Sequence, residues 1–163
     1  MAEKYSDGAN RAILLARTEA GDDRSPSIES EHLLQGVIAA DKERMASFIT
    51  RASRDAIQEK VLRAKKVYSG GSPSADERPM SGECKRAMAA AAEEARNLKS
   101  ANIEVEHLML GLLREPKSVA GRILTEQGLT LGPLRQKLGG SAEIPVAQSS
   151  GMFGKLKKIL GGS

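Results

Sequence analysis

Between Ser6 and Ala20 the apolar positions Ala9, Ala12, Ile13, Ala16 and Ala20 recur at three- and four-residue intervals, with Arg11, Arg17 and Glu19 among them. That is the period of an amphipathic helix, and it predicts a first helix over residues 7–20, with Ser6 as N-cap and Gly21 at its end. A polar loop containing Pro26 follows. Leu33, Leu34, Val37 and Ile38 then form one face of a second helix, with Ser30 placed to cap it and Gly36 small enough to admit a neighbouring helix. A short third helix over 44–52 would bury Met45, Phe48 and Ile49. A fourth, capped by Ser53, would turn Ile57, Val61, Leu62 and Ala64 to one side and Arg54, Glu59, Lys60 and Arg63 to the other.

From Ser69 to Pro79 the composition shifts to Ser, Gly, Pro and Asp, as in a flexible surface connection. The plan then starts again. The pattern predicts helix five over 82–98, rich in alanine, helix six over 106–113, helix seven over 118–126 and helix eight over 131–138, with Pro116 before helix seven and Gly128 after it. Sliding the chain by 75 positions superposes the two halves without a gap, and 13 of the 33 positions from Ser6 to Ile38 are identical to their partners. Unrelated stretches of that length match at about two positions at ordinary residue usage. The shared core is Ile28-Glu29-Ser30-Glu31-His32-Leu33 in one half and Ile103-Glu104-Val105-Glu106-His107-Leu108 in the other. The sequence is therefore a tandem repeat: residues 5–68, a linker over 69–79, and residues 80–138. The expected fold is all-α, eight helices in two four-helix repeats with pseudo-twofold symmetry, followed by a linker and tail over 139–163.

Composition narrows the chemistry. Aromatic residues make up 2% of the 163-residue chain and tryptophan is absent, so the core must be built from Ala, Leu, Ile, Val and Met, which brings helices close together. The net charge of +4 owes part to Lys155, Lys157 and Lys158, leaving the repeats nearly balanced, which argues against nucleic acid as a partner. The single cysteine, Cys84, excludes an internal disulfide; it aligns with Ala9 and reads as a small buried side chain. Neither a signal peptide nor a twenty-residue apolar run is present, so a cytoplasmic location is expected.

The order Tyr5-Ser6-x-x-Ala9-x-Arg11-x-Ile13-x-x-Ala16-x-x-Glu19-Ala20, then Ile28-x-Ser30-Glu31-His32-Leu33-Leu34-x-Gly36, then a second copy ending Glu106-His107-Leu108-x-Leu110-Gly111-Leu112-Leu113, resembles the double N-terminal repeat domain of Clp unfoldases, most like the ClpC subgroup. The resemblance covers residues 5–138. It implies an eight-helix pseudo-twofold bundle, in agreement with the periodicity. It also implies a non-catalytic module that meets protein partners: a Clp ATPase, an adaptor or an unfolded substrate. No G-x-x-x-x-G-K-[ST] loop occurs, so the ATPase modules that follow this domain in the family are missing, and the chain reads as a free-standing domain or a fragment. The family pattern has Gly-Thr before Glu-His; here Glu29-Ser30 and Glu104-Val105 stand instead, so the second copy lacks a capping hydroxyl.

Among candidate sites, His32 and His107 each adjoin a glutamate, but one such pair per repeat supplies too few ligands for a metal, and a structural role at the helix starts, shared with Ser30, is expected. No cofactor is expected, and no serine or cysteine nucleophile has a recognisable base. Glu31 and Glu106 match the family glutamates that contact the guanidinium of phosphorylated arginine on substrates. The residues alone suggest action on their own helix starts, since Glu29 and Glu104 add negative charge where a phosphate would lie and Val105 has no hydroxyl to offer it. In the tail, Met152, Phe153, Leu156, Ile159 and Leu160 share one helical face and Lys155, Lys157 and Lys158 the other. That segment supports an alternative, a peripheral membrane or scaffold protein anchored weakly through its C-terminus.

Overall fold

The computed structural model describes residues 4–66, 68–69, 73–74 and 77–139. The described residues form eight helices: α1 (Asp7–Asp22), α2 (Ser30–Ala40), α3 (Lys42–Ala46), α4 (Arg51–Ala64), α5 (Gly82–Asn97), α6 (Val105–Leu113), α7 (Val119–Glu126) and α8 (Leu131–Gly139). The expected all-α repeat architecture is what is found. The amphipathic tail, Met152 to Leu160, lies outside the described residues.

Local chemistry sets the boundaries. Ser6 and Ser81, one repeat apart, cap α1 and α5 by accepting from the amides of Ala9 and Cys84. Helix α1 does not stop at Gly21: it runs to Asp22, and the chain turns at Arg24, with φ of 59°, as it does at Lys99, with φ of 56°. Three other expectations are corrected. Helix α3 spans only Lys42–Ala46, because Asp41 caps it by accepting from the Arg44 amide, and Ser47 to Ile49 leave it as a turn. Thr50, not Ser53, caps α4; its hydroxyl accepts from the Ser53 amide. Leu62 is 60% exposed, because the buried stripe of α4 is the Ile57 and Val61 line alone.

The two long helix pairs are the frame. α1 presents Ala9, Ala12, Ala16 and Ala20, and α5 presents Cys84, Ala87, Ala91 and Ala95, all buried at repeat-related positions. Against these small side chains the second helix of each repeat comes down to backbone contact. A Cβ on Gly36 would sit 2.1 Å from the Ala12 carbonyl oxygen, and one on Gly111 would sit 2.2 Å from that of Ala87. No side chain larger than hydrogen can occupy either position without moving a helix.

The repeats are joined reciprocally. Ile103 of the second repeat pairs in parallel with Tyr5 of the first, and Ile28 of the first pairs with Met80 of the second. The Ser6 amide donates to the Ile103 carbonyl at 3.0 Å and the Ile103 amide to the Lys4 carbonyl at 2.8 Å. Across the pseudo-dyad, the Ser81 amide donates to Ile28 at 3.0 Å and the Ile28 amide to Pro79 at 2.8 Å. Each repeat thus borrows the leading segment of the other, and their cores are continuous. Arg78, buried at the end of the connection, donates to the carbonyls of Ser25 and Pro73, at 2.8 Å each.

Candidate functional site

The cross-repeat pairing delivers Ile28 and Ile103 directly to the starts of α2 and α6, where the doubled Glu-x-Glu-His motif lies. In both copies the N-cap is the first glutamate, Glu29 or Glu104. Its own amide donates to the histidine three residues on: Glu29 to His32 Nδ1 at 2.9 Å, Glu104 to His107 Nδ1 at 2.8 Å. Because Nδ1 accepts, each neutral imidazole carries its proton on Nε2. This corrects the assignment of Ser30 as the cap: Ser30 is the first residue of α2, and its hydroxyl accepts from the Ala120 amide on α7 at 3.1 Å, tying the repeats together. Val105 therefore deprives the second copy of no cap. It is buried, packed near Gly8 of α1.

The two histidines differ behind the ring. His32 Nε2 donates to Asp23 at 3.0 Å, and Asp23 also meets Lys65 at 3.2 Å, which in turn meets Glu19 at 3.1 Å. In the second copy, 75 positions on, Leu98 replaces Asp23. Burial there lowers the His107 pKa, against a smaller opposing pull from Glu106 and Glu104. Glu94, the counterpart of Glu19, is completely buried and held by Arg135, whose Nε lies 2.9 Å from one oxygen, and by Arg114 at 3.3 Å. These are structural ties. Among the described residues no cluster of His, Cys, Asp and Glu could hold a metal ion.

Glu31 and Glu106 occupy the same position in their helices yet have different company. Arg44 of α3 forms a two-pronged pair with Glu106, Nε to Oε1 and Nη2 to Oε2, both at 2.6 Å. That hydrogen bond is the main reason the Arg44 pKa is raised. The residue that corresponds to Arg44 in the second repeat is Val119, so Glu31 has no equivalent partner. Glu31 is 4% exposed, and among the described residues its polar contact is the Ser30 hydroxyl, which donates at 3.4 Å. One copy of the site is filled from within the chain and the other is not. Sequence reading missed Arg44; its alignment with Val119 was the available signal for the asymmetry, but nothing local places it beside Glu106.

A family model described as Clp repeat (R) N-terminal domain matches residues 4–144. The chain belongs to this family. Among curated relatives, the ATP-dependent Clp protease ATP-binding subunit ClpA homolog of Guillardia theta is 31% identical over 88% of this chain. Its counterpart in Cyanidium caldarium is 28% identical over 93% of this chain. The chain spans only 18% of the length of either relative. The crystal structure of the N-terminal domain of the chaperone ClpD from Arabidopsis thaliana is 29% identical, with a TM-score of 0.62 over 82% of this chain and 94% of that one. The Hsp104 N-terminal domain from Candida albicans shares the fold at 21% identity, with a TM-score of 0.68 over 87% of this chain and 95% of that one. This Clp repeat domain thus corresponds to the N-terminal part of much longer proteins. Among its described residues no helix is long and apolar enough to cross a membrane.

Proposed function

We propose that this Clp repeat domain is a non-catalytic protein-binding module of the Clp system, which receives substrate or adaptor proteins or modulates a Clp unfoldase by competing for them. Family membership supports the class of partner. The observation that carries the reading is Glu31, a buried carboxylate with no cation opposite it among the described residues, while its twin Glu106 is answered by Arg44. A buried carboxylate is costly without a charged or strongly donating partner, so a cationic side chain from another protein would be bound there with little to displace. At Glu106, Arg44 would have to leave first. The phosphate of a phosphorylated arginine would meet Glu29 and Glu104, the N-cap residues that already put an acid at each helix start. An unmodified arginine or lysine is the favoured occupant.

The test is a titration of the full chain with a fluorescent, permanently unfolded protein, read by anisotropy, for wild type, Glu31→Gln and Glu106→Gln. Saturable binding weakened by the first change and insensitive to the second is expected. No binding in the wild type would refute the module, and equal affinity in all three would refute the role of Glu31.

A further inference from the structure

Helices α4 and α7 come from different repeats and leave between them a cleft of about 390 Å³, lined by Lys60, Arg63, Ala64, Val119, Arg122, Ile123 and Glu126. Three cations face one carboxylate over a floor made by Ala64, Val119 and Ile123. The charges are only loosely committed. Lys60 meets Glu126 at 3.0 Å and Arg63 meets Glu59 at 2.9 Å, Lys60 half-buried and the other three side chains well exposed, and Arg122 has no ion pair among the described residues. Exposed pairs of this kind add little to stability, so incoming carboxylates can replace them.

The opposite side of the pseudo-dyad shows that the fold does not require this arrangement. Shifted by 75 positions, Lys60, Val119, Arg122 and Ile123 become Arg135, Arg44, Ser47 and Phe48. There the cations are spent internally: Arg135 on buried Glu94, Arg44 on Glu106, and nearby Lys137 on the Phe48 carbonyl at 3.5 Å. One edge of the molecule uses its cations as struts, while the other leaves them facing outward.

We infer that the α4–α7 cleft is a docking site for an acidic, extended peptide segment of a partner protein, with Asp or Glu side chains on Lys60, Arg63 and Arg122 and an apolar side chain on Val119 and Ala64. The inference rests on the protein-binding reading above and names the chemistry of the partner. Charge complementarity selects this occupant. The chain's own tail, with Lys155, Lys157 and Lys158, carries the same sign as the cleft and is repelled by it. Three cations in a cleft of this size match two or three carboxylates rather than the long phosphate track that nucleic acid needs. The α7 wall is also tied to the start of α2, since the Ala120 amide donates to the Ser30 hydroxyl.

The peptide titrations use the full chain carrying Glu31→Gln, which leaves a lysine no carboxylate to meet there, and a fluorescein-labelled dodecapeptide in which Glu and Asp alternate with Leu and Val, a matching peptide with Lys for every acid, and inorganic phosphate as competitor; the unfolded protein of the preceding titration is measured against the wild-type chain. The acidic peptide is expected to bind and the lysine peptide not. Arg63→Glu/Arg122→Glu, changed at two exposed positions, should weaken the acidic peptide about tenfold and gain affinity for the lysine peptide, with an unaltered urea midpoint. Equal binding of both peptides, no response to the double change, or displacement by phosphate at the peptide's own concentration range overturns the cleft. If the unfolded protein still binds when the acidic peptide does not, the cleft assignment alone falls. If neither binds, the protein-binding reading falls with it.

Discussion

Replacing Gly36 with alanine puts a methyl carbon 2.1 Å from the Ala12 carbonyl oxygen and 3.1 Å from the Ala16 amide nitrogen. Contacts to a Cβ are essentially never shorter than 3.0 Å, so α1 and α2 must part by about 1 Å, and the obstacle is backbone that cannot rotate away. Ala9, Ala12, Ala16 and Ala20 are too short to fill the gap, and a separation of that size forfeits roughly a quarter to a half of each contact they make. Overpacking of this kind costs about 3 kcal/mol. Alanine returns up to ~1 kcal/mol through its better helix propensity, leaving a net loss of about 2 kcal/mol. Gly111→Ala, 2.2 Å from the Ala87 carbonyl oxygen, should behave alike. The control is Gly132→Ala in α8, where a Cβ meets nothing within 4 Å and the change should be neutral or mildly stabilising. Urea unfolding monitored by circular dichroism reads all three. If Gly36→Ala and Gly111→Ala matched the wild type while Gly132→Ala also did, the backbone contact that sets this frame would be refuted.

The remaining predictions concern buried polar groups. Glu94→Ala should cost about 3 kcal/mol in urea unfolding, because Arg135 and Arg114 lose the buried carboxylate that holds them; a loss under 1 kcal/mol would contradict that role. Burial lowers the folded pKa of His107 below its ordinary 6.5. The unfolded chain then binds more protons in that window, so stability is full above pH 6.5 and falls as acid protonates the ring and removes the Nδ1 acceptor. His107→Gln, which can still accept from the Glu104 amide, should flatten this dependence between pH 7 and 5; an unchanged slope would assign it elsewhere. Burial pushes the Cys84 thiol up to about 12, so an aromatic disulfide reagent should label it only as the fold opens, with a rate that tracks urea; prompt labelling in buffer would show that α5 is not packed as described.

The repeats, the eight helices and most of the core were legible because the 3.6-residue period and the 75-residue shift are both written in side chains. Ala9 to Ala20 and Gly36 announce a tight helix pair by size alone. The reciprocal pairing of Tyr5 with Ile103 and Ile28 with Met80 was not legible, since backbone hydrogen bonds leave no pattern in residue type. Ser30 and Ser53 attract the cap assignment by propensity, but each start is decided one to three residues earlier, by Glu29 with its histidine acceptor and by Thr50. Leu62 follows Val61 in sequence, yet the stripe that faces α2 and α7 has no room for it. At the site, Glu31 and Glu106 are identical in sequence. Their difference depends on Arg44, 62 residues from its partner. The same holds for the α4–α7 cleft, whose cations look like an ordinary solvated face until α7 closes it from the other repeat.

The central claim, that this domain holds proteins of the Clp system, is tested most directly by cross-linking the full chain in its own cells and identifying bound proteins by quantitative mass spectrometry, against Glu31→Gln and against a chain ending at Gly139. Enrichment of a Clp ATPase, an adaptor or unfolded clients that survives the truncation and is reduced by Glu31→Gln is predicted. Recovery of none of these, or loss of every partner on truncation alone, would place the function outside the repeats and contradict the account.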